Sequence, residues 1–392
     1  MRIVYFLPDV EAGVSRIVKN LLRYRKKNSG YTYAVVLFRS DNQQMDACDG
    51  NFAADEVIRF YYPSEESAFS TFRRLSKTLK SQWDIIVGND GLEIKMVATM
   101  RLQNPVVYIL HGDFPYYYSM AKHYGTVVDG FIAYSNKIEK DVAAFENGAG
   151  RTRKIYYPSA AAADEPGNKK QPRGEKLKIL FAGSLIERKG AHLLPAIYER
   201  IKKNGVDNFQ FTIAGNGPLE NALKQQLGDQ PGVSFAGWLN EAAVMQEMKQ
   251  ADIFLFPSFL EGLPNVLIET LSAGAVPVAF DIESGVSDVI RNGVNGILLP
   301  VGDANAIADA VTGLYHDHAK FEMLRNNSAA MLQKFEPFAQ ADAYEKAIVE
   351  ISQHKREGKI YPPYIRGRVL DRKWIPGWIV FFLRKIIRNP KL

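Results

Sequence analysis

The chain has 392 residues, 46% hydrophobic and 23% charged, which is apolar material enough for two cores and excludes a disordered chain. Its formal net charge of +6 is concentrated at one end: residues 364–392 carry eight Lys or Arg against one acid, so the remaining body is close to neutral and gives no support to nucleic-acid binding. Cys48 is the only cysteine, which excludes an intrachain disulfide framework and a cysteine zinc site and points to a reducing cytosol.

The first apolar run, residues 3–7, is too short and too soon interrupted for a secretory leader and reads as a buried strand. Strands are expected next near 34–37, 84–87, 106–110, 131–133 and 155–157, with helices near 14–25, 66–79 and 137–145. This alternation is that of an α/β parallel sheet. Residues 160–176 are polar and turn-rich. The pattern restarts at 177–182 and continues with strands at 211–214, 233–235, 253–256 and 276–279. Helices are expected near 192–203, 219–227, 241–250, 266–273 and 304–315, and 337–356 reads as a late helix. The expected division is a first domain over 1–163, a linker at 164–176, a second domain over 177–336, a late helix and return at 337–363 and a basic aromatic tail at 364–392.

The stretch from Phe256 to Glu269 carries the chemistry. It leaves a buried strand, places Glu261 in a loop, turns sharply at Gly262, Leu263 and Pro264, and opens a helix with Asn265 as its expected N-cap, so that Glu269 lies one turn inside. The amides of Gly262 to Val266 and the positive end of the helix dipole suit a phosphate, and two carboxylates beside them suit the hydroxyls of a sugar nucleotide. On the acidic pair alone, a loop charge and a dipole-favoured first-turn acid are the favoured explanation. Just after the strand at 177–182, Gly183 leads to Arg188 and Lys189, cations suited to diphosphate oxygens or an ordinary basic turn. His111 and Asp113 follow the apolar run 106–110, and Asp113 either orients His111 or contacts an acceptor. Gly13 stands alone after the first strand, and the run from Gly215 stops before a third glycine, so neither is a dinucleotide fingerprint. There is no Asp-any-Asp pair and no histidine cluster at metal-ligand spacing, so a tightly bound metal is not expected.

Seven residues separate Glu261 from Glu269. The small-residue turn Ser272–Ala275, the strand opening at Val276, and the segments Ser284–Ile290 and Asn292–Leu298 follow. This series resembles retaining glycosyltransferases of family 4, strongly from about 177 to 331 and in pattern only before that. The resemblance implies a GT-B fold: two Rossmann-like parallel-sheet domains facing across a cleft, with the late helix crossing back to the first domain. It implies transfer of a hexosyl unit from a nucleoside diphosphate sugar, UDP-sugar favoured, to a glycan or lipid-linked acceptor in cell-surface polysaccharide or lipopolysaccharide synthesis, without a cofactor. The one-turn offset between the loop and helix acids assigns Glu261 to sugar positioning and Glu269 to the nucleoside. By the resemblance His111 reaches the transferred sugar, Gly13 lies in a donor-facing glycine loop where a simple turn reads as well, Gly215 lies near the nucleoside, and the backbone at Trp238 and Leu239 meets the nucleobase, with Trp238 equally readable as a packing aromatic. Two departures stand out. Ala12 replaces a frequent second glycine, and Ser184 replaces a frequent arginine, leaving Arg188 as its substitute. A GT-B epimerase or phosphorylase, or a silent sugar-nucleotide-binding scaffold, are the competing readings.

In the tail, residues 376–383 are apolar and aromatic, flanked by Arg372, Lys373, Arg384 and Lys385, and too short to span a bilayer. With Trp374 and Trp378 they suit an anionic membrane surface, which would place the protein peripherally on the inner face of the cell membrane. Packing of the same aromatics on the first domain is the alternative.

Overall fold

The structure, a computed structural model, describes residues 1–27, 29–162, 174–354, 358–362, 375, 376, 378–381 and 383. The expected linker, except for 174–176, and most of the tail lie outside the described residues. The chain forms two units, one of Met1–Pro158 with the chain from Pro337 onward, the other of Ser159–Glu336.

The first unit runs β1 (Arg2–Pro8), α1 (Gly13–Arg23), β2 (Thr32–Ser40), β3 (Glu56–Tyr62), α2 (Ala68–Leu75), β4 (Ile85–Gly88), α3 (Leu92–Met100), β5 (Val106–Leu110), α4 (Pro115–Tyr124), β6 (Gly130–Ala133), α5 (Asn136–Ala143) and β7 (Thr152–Lys154). Its sheet is parallel throughout, in the order β3-β2-β1-β4-β5-β6-β7. The central strands are continuous apolar runs because both faces are covered. Ile3, Val4, Phe6 and Leu7 are fully buried, as are Ile85, Ile86 and Val87 beside them. Burying each such side chain stabilises by about 1.5–3 kcal/mol.

The second unit runs β8 (Leu177–Ala182), α6 (Leu194–Lys203), β9 (Phe209–Ala214), α7 (Glu220–Leu227), β10 (Val233–Gly237), α8 (Glu241–Gln250), β11 (Ile253–Phe256), α9 (Asn265–Ser272), β12 (Val276–Phe280), α10 (Val286–Val289), β13 (Ile297–Leu299), α11 (Ala304–His316), α12 (His318–Asn326) and α13 (Ser328–Leu332). Its sheet is also parallel, in the order β10-β9-β8-β11-β12-β13. The strand order reverses between β1 and β4 in the first unit and between β8 and β11 in the second. At such a switch point the connections leave the strand ends in opposite directions and open a crevice at the carboxyl edge.

The last long helix, α14 (Pro337–Gln353), belongs to the first unit and packs on α1, β4 and β5. The segment after it is pinned to the amino end of that sheet by Lys359. Its ammonium bonds Asp129 Oδ2 at 2.8 Å and the Asn104 carbonyl at 2.7 Å, with both charged side chains out of solvent.

Three local expectations are corrected. Residues 155–157 are not a strand: β7 ends at Lys154, Ile155 donates one further bond to the Ala133 carbonyl at 2.9 Å, and the chain then leaves the sheet. Asn265 is not an N-cap. Pro264 occupies that place without a side-chain cap and Asn265 is the first helical residue, because the proline's fixed backbone already sets the helix entry. Finally β3, α3 and α4 add elements where none was expected.

Candidate active site

The switch point of the second unit joins two connections. After β8 the chain passes Gly183 and makes one tight helical turn, Glu187–Lys189. After β11 it passes Glu261 and enters α9. The Phe259 amide donates to the Arg188 carbonyl at 2.9 Å, and Arg188 Nη1 donates to the Leu260 carbonyl at 2.8 Å, so the two connections are stitched together. Gly190 makes this approach possible. Its φ is +72°, and a Cβ there would stand 2.0 Å from the Pro257 carbonyl oxygen. The result is a compact charge cluster, with Lys189 Nζ 2.5 Å and Arg188 Nη1 3.5 Å from Glu261 Oε1.

Glu261 is largely shielded from water, with 12% of its side chain exposed. Beside it, Gly262 accepts from the Gly285 amide at 3.0 Å, which draws the connection before α10 against the glycine turn. The amides of Asn265 and Val266 open α9 and have no intrahelical acceptor, so this corner offers hydrogen-bond donors and the positive end of a helix. Leu263 and Pro264 are buried supports for the turn. Glu269 lies on the fifth position of α9, partly exposed.

Gly183, Gly215 and Gly237 align along the same sheet edge. Gly183 donates to Ala214 at 3.0 Å and Gly215 to Gly237 at 2.7 Å, and a Cβ on Gly215 would lie 1.9 Å from the Gly183 carbonyl. Trp238 follows, 70% exposed, with Leu239 half-buried beside it. An exposed indole next to backbone at a strand end is a surface on which a planar base can stack.

In the first unit the switch point is crossed by Asn89, fully buried just after β4. Its amide nitrogen donates to the Phe6 carbonyl on β1 at 2.9 Å and to the Val87 carbonyl at 3.2 Å, and its Oδ1 stands 2.7 Å from His111 Nε2. On the other side His111 Nδ1 is 3.1 Å from the Tyr157 hydroxyl, and the two rings stack at 5.7 Å. Burial holds the imidazole's pKa down to about 3, so it is neutral at physiological pH. The connection that carries Asn89 is braced by Glu93, a wholly buried acid in the first turn of α3. It accepts from the Asp90 amide at 3.1 Å and the Gly91 amide at 3.2 Å. Burial first, and the neighbouring Asp90 second, push the Glu93 carboxyl up to about 8.

Asp113 does not bond His111. It accepts from the Tyr118 hydroxyl at 2.6 Å and pairs with Lys137 at 3.3 Å, a cation it shares with Asp141. Gly13 is the first residue of α1, capped by a reciprocal Ala12–Ser15 arrangement, and the space where its Cβ would be is open. Asn89, Tyr157 and Glu93 were missed in the sequence. Asn89 had the same signal as His111, a polar residue directly after a buried apolar run, whereas nothing local marks Tyr157.

Residues 176–317 match the family described as "Glycosyl transferases group 1". Among curated relatives, the amylovoran biosynthesis glycosyltransferase AmsK of Erwinia amylovora is 34% identical over 143 residues, 34% of this chain and 35% of AmsK. A Campylobacter jejuni N-acetylgalactosaminyltransferase, whose name specifies a diNAcBac-PP-undecaprenol-linked acceptor, is 28% identical over 176 residues, 44% of this chain and 48% of that protein. The aligned stretch thus spans between a third and a half of these relatives. Among solved structures, Anabaena HepE in complex with UDP superposes with a TM-score of 0.71 at 18% identity, covering 89% of this chain and all of HepE. The fold is GT-B, two Rossmann-like parallel-sheet domains.

Proposed function

Since residues 176–317 match the glycosyl transferases group 1 family, we propose that the chain is a retaining hexosyltransferase of family 4. Its donor is a nucleoside diphosphate sugar, UDP-sugar favoured. Its acceptor is a glycan or a lipid-linked glycan in cell-surface polysaccharide or lipopolysaccharide synthesis. The observation that carries this reading is the Arg188–Lys189–Glu261 cluster beside the start of α9 at the switch point of the second unit. A crevice with two cations, open helix amides and a shielded carboxylate has donors for a diphosphate and an acceptor for sugar hydroxyls.

In the transfer, the bond from the anomeric carbon to the diphosphate oxygen breaks and a bond to the acceptor oxygen forms on the same face. The acceptor proton passes to the leaving phosphate. Arg188, Lys189 and the amides opening α9 take up the charge gathering on that diphosphate. Glu261 holds the sugar, Glu269 the nucleoside, Trp238 and Leu239 the base, and the three aligned glycines let the nucleotide approach the backbone. Gly13 is assigned to the donor, His111 to the transferred sugar and Asp113 to the acceptor. No protein nucleophile is assigned, and the cation cluster makes the reaction independent of added metal.

The tail supports a peripheral membrane location. Trp378, Phe381 and Leu383 are exposed while Val380 is buried, a division that suits a short interfacial segment. Trp374 and the flanking basic residues lie outside the described residues. Among the described residues no helix is long and apolar enough to cross a membrane. AmsK is named for amylovoran biosynthesis and the Campylobacter enzyme for an undecaprenol-linked acceptor, and the second of these fits an acceptor presented at a membrane. The deciding experiment incubates the purified protein with a panel of nucleotide sugars, with and without membrane extract, and scores nucleoside diphosphate release and labelled glycan. Release that depends on extract supports transfer; interconversion of sugars without release supports an epimerase; binding without turnover supports a scaffold.

A further inference from the structure

His111 is the single imidazole of the proposed site in the first unit, and its surroundings fix more than its position. The carbonyls of Phe6 and Val87 can only accept, so the Asn89 amide must turn its NH2 toward them and its Oδ1 toward the ring. An amide oxygen can only accept, so the proton on His111 lies on Nε2. Nδ1 is then an acceptor, and the Tyr157 hydroxyl donates to it. Both ring nitrogens are satisfied internally by buried partners on two different segments, one after β4 and one after β7.

The groups facing the ring are Asn89 from the β4–α3 connection, Tyr157 from the segment after β7 and Tyr117 from α4, whose ring lies edge-on at 6.5 Å. None of the three is ionised at neutral pH. A second proton on His111 would require Nδ1 to give up the Tyr157 bond and would place an uncompensated cation in a buried site.

Transfer of a glycosyl unit passes through a sugar carrying positive charge, as glycoside cleavage in general does. A cation beside that sugar would raise the barrier, and a neutral imidazole would not. Resting on the family 4 reading above, we propose that Asn89 is a positioning residue for the transfer step. It locks His111 as the neutral Nε2–H tautomer and, with Tyr157 filling Nδ1, keeps a positive charge away from the reacting sugar. His111 is accordingly neither a general base nor a proton shuttle.

The test uses the full-length protein labelled with ¹⁵N-histidine, with the His111 signals assigned by comparison with His111→Gln. The expected wild-type spectrum is a single Nε2–H tautomer that does not titrate between about pH 5 and 8, the range in which an ordinary histidine changes charge. Asn89→Asp sets a carboxylate against Nε2–H and favours the imidazolium. His111 should then titrate within or above that range, and kcat should fall about tenfold at neutral pH with donor KM changed far less, recovering as pH rises past the new titration. Tyr157→Phe keeps the stacked ring, removes only the hydroxyl that fills Nδ1, and covers the case in which the Asn89 variant does not fold. It should move the Nδ1 signal while the proton stays on Nε2, because Asn89 still accepts from it. A wild-type His111 that titrates near its ordinary value, an Nδ1–H tautomer, or an Asn89→Asp enzyme with the wild-type pH profile would each overturn the proposal while leaving the transferase reading intact. Failure to turn over any nucleotide sugar would instead overturn the functional reading, and the role in the transfer step with it.

Discussion

Lys189 and Glu261, 72 positions apart in the chain, meet in an ion pair of 2.5 Å where the β8 and β11 connections converge. On the proposed reading the carboxylate in the free protein occupies the place of a diphosphate oxygen. Glu261 and the donor phosphate would then compete for one ammonium while Glu261 and the donor sugar attract, so loss of its charge should spare nucleoside diphosphate binding and lower transfer. Glu261→Gln should leave affinity for a nucleoside diphosphate alone unchanged or tighter, and should lower transfer. Glu269→Ala should weaken the nucleotide by about 1.5–3 kcal/mol, the range for a hydrogen bond to a charged group. Calorimetric titration with nucleoside diphosphates, beside turnover with the sugar nucleotide, measures both. Equal weakening of nucleoside diphosphate binding by the two substitutions would remove Glu261 from its assigned place.

Glu93 sets a pH dependence on stability rather than on chemistry. Its folded pKa, about 8, lies above the ordinary carboxyl value of 4.5, so the native state holds a proton there that the unfolded chain releases. The contribution is fully present below the unfolded value, declines as pH rises between the two, and is lost above the folded value. Denaturant titrations of the wild type from acid to mildly alkaline pH should show stability of the first unit falling with pH. Glu93→Gln should flatten that slope and be relatively most stabilised at the alkaline end. An unchanged slope in the variant would show that another group carries it.

Where the sequence was legible, one physical signal sufficed. Residues 253–256 and 241–250 fall where the structure has β11 and α8, because a doubly covered strand is apolar throughout and the helix opens on Asn240, whose side chain caps it. The same signals fail where burial is unusual. Strand β3 is an edge strand that alternates Glu56, Ile58 and Phe60 with more exposed neighbours, and helix α3 buries most of its length and so has no polar stripe to set its period. The glycines, Glu261 and Lys189 stood out because each is chemically conspicuous within a few residues of a strand end. The His111 surroundings did not, since Asn89, His111 and Tyr157 come from three segments and only the folded sheet brings them into one hydrogen-bonded row.

The Lys359–Asp129 pair anchors the segment after α14 within the first unit, and its two side chains are 1% and 0% exposed. Removing Lys359 takes the ion-pair partner from a buried carboxylate, which keeps its bond from the Val106 amide at 2.7 Å. Lys359→Met should therefore destabilise the first unit by about 3–5 kcal/mol, and the double variant with Asp129→Asn should recover part of that loss. Thermal or urea unfolding followed by a probe in the first unit decides it. A loss for Lys359→Met below about 1 kcal/mol, the level of an exposed pair, would show that the anchor does not hold in solution.

Transfer should persist after treatment with EDTA. Arg188 and Lys189 meet at Glu261, four residues before α9 opens, so on the proposed reading added magnesium or manganese should change the rate little. Lys189→Ala should lower kcat more than chelation does, because it removes a cation from the charge that builds in the transition state. Turnover abolished by EDTA and restored by a divalent ion would transfer that role from the two side chains to a metal.

Deleting residues 374–392 should release the protein from anionic vesicles while leaving transfer to a soluble acceptor analogue largely intact. The positive excess of the chain lies in its last 29 residues, 364–392, and the described part of that stretch exposes Trp378, Phe381 and Leu383. Each Lys or Arg held at an anionic surface contributes about 1 kcal/mol. Salt screens that attraction and leaves the aromatic contribution, so full-length protein should float with vesicles at low ionic strength and only partly at high. Vesicle flotation of both forms at two salt concentrations separates the cases. Equal flotation would remove the tail as the anchor. An insoluble truncated protein would instead assign Val380, buried in the folded chain, and its neighbours to completing the first unit.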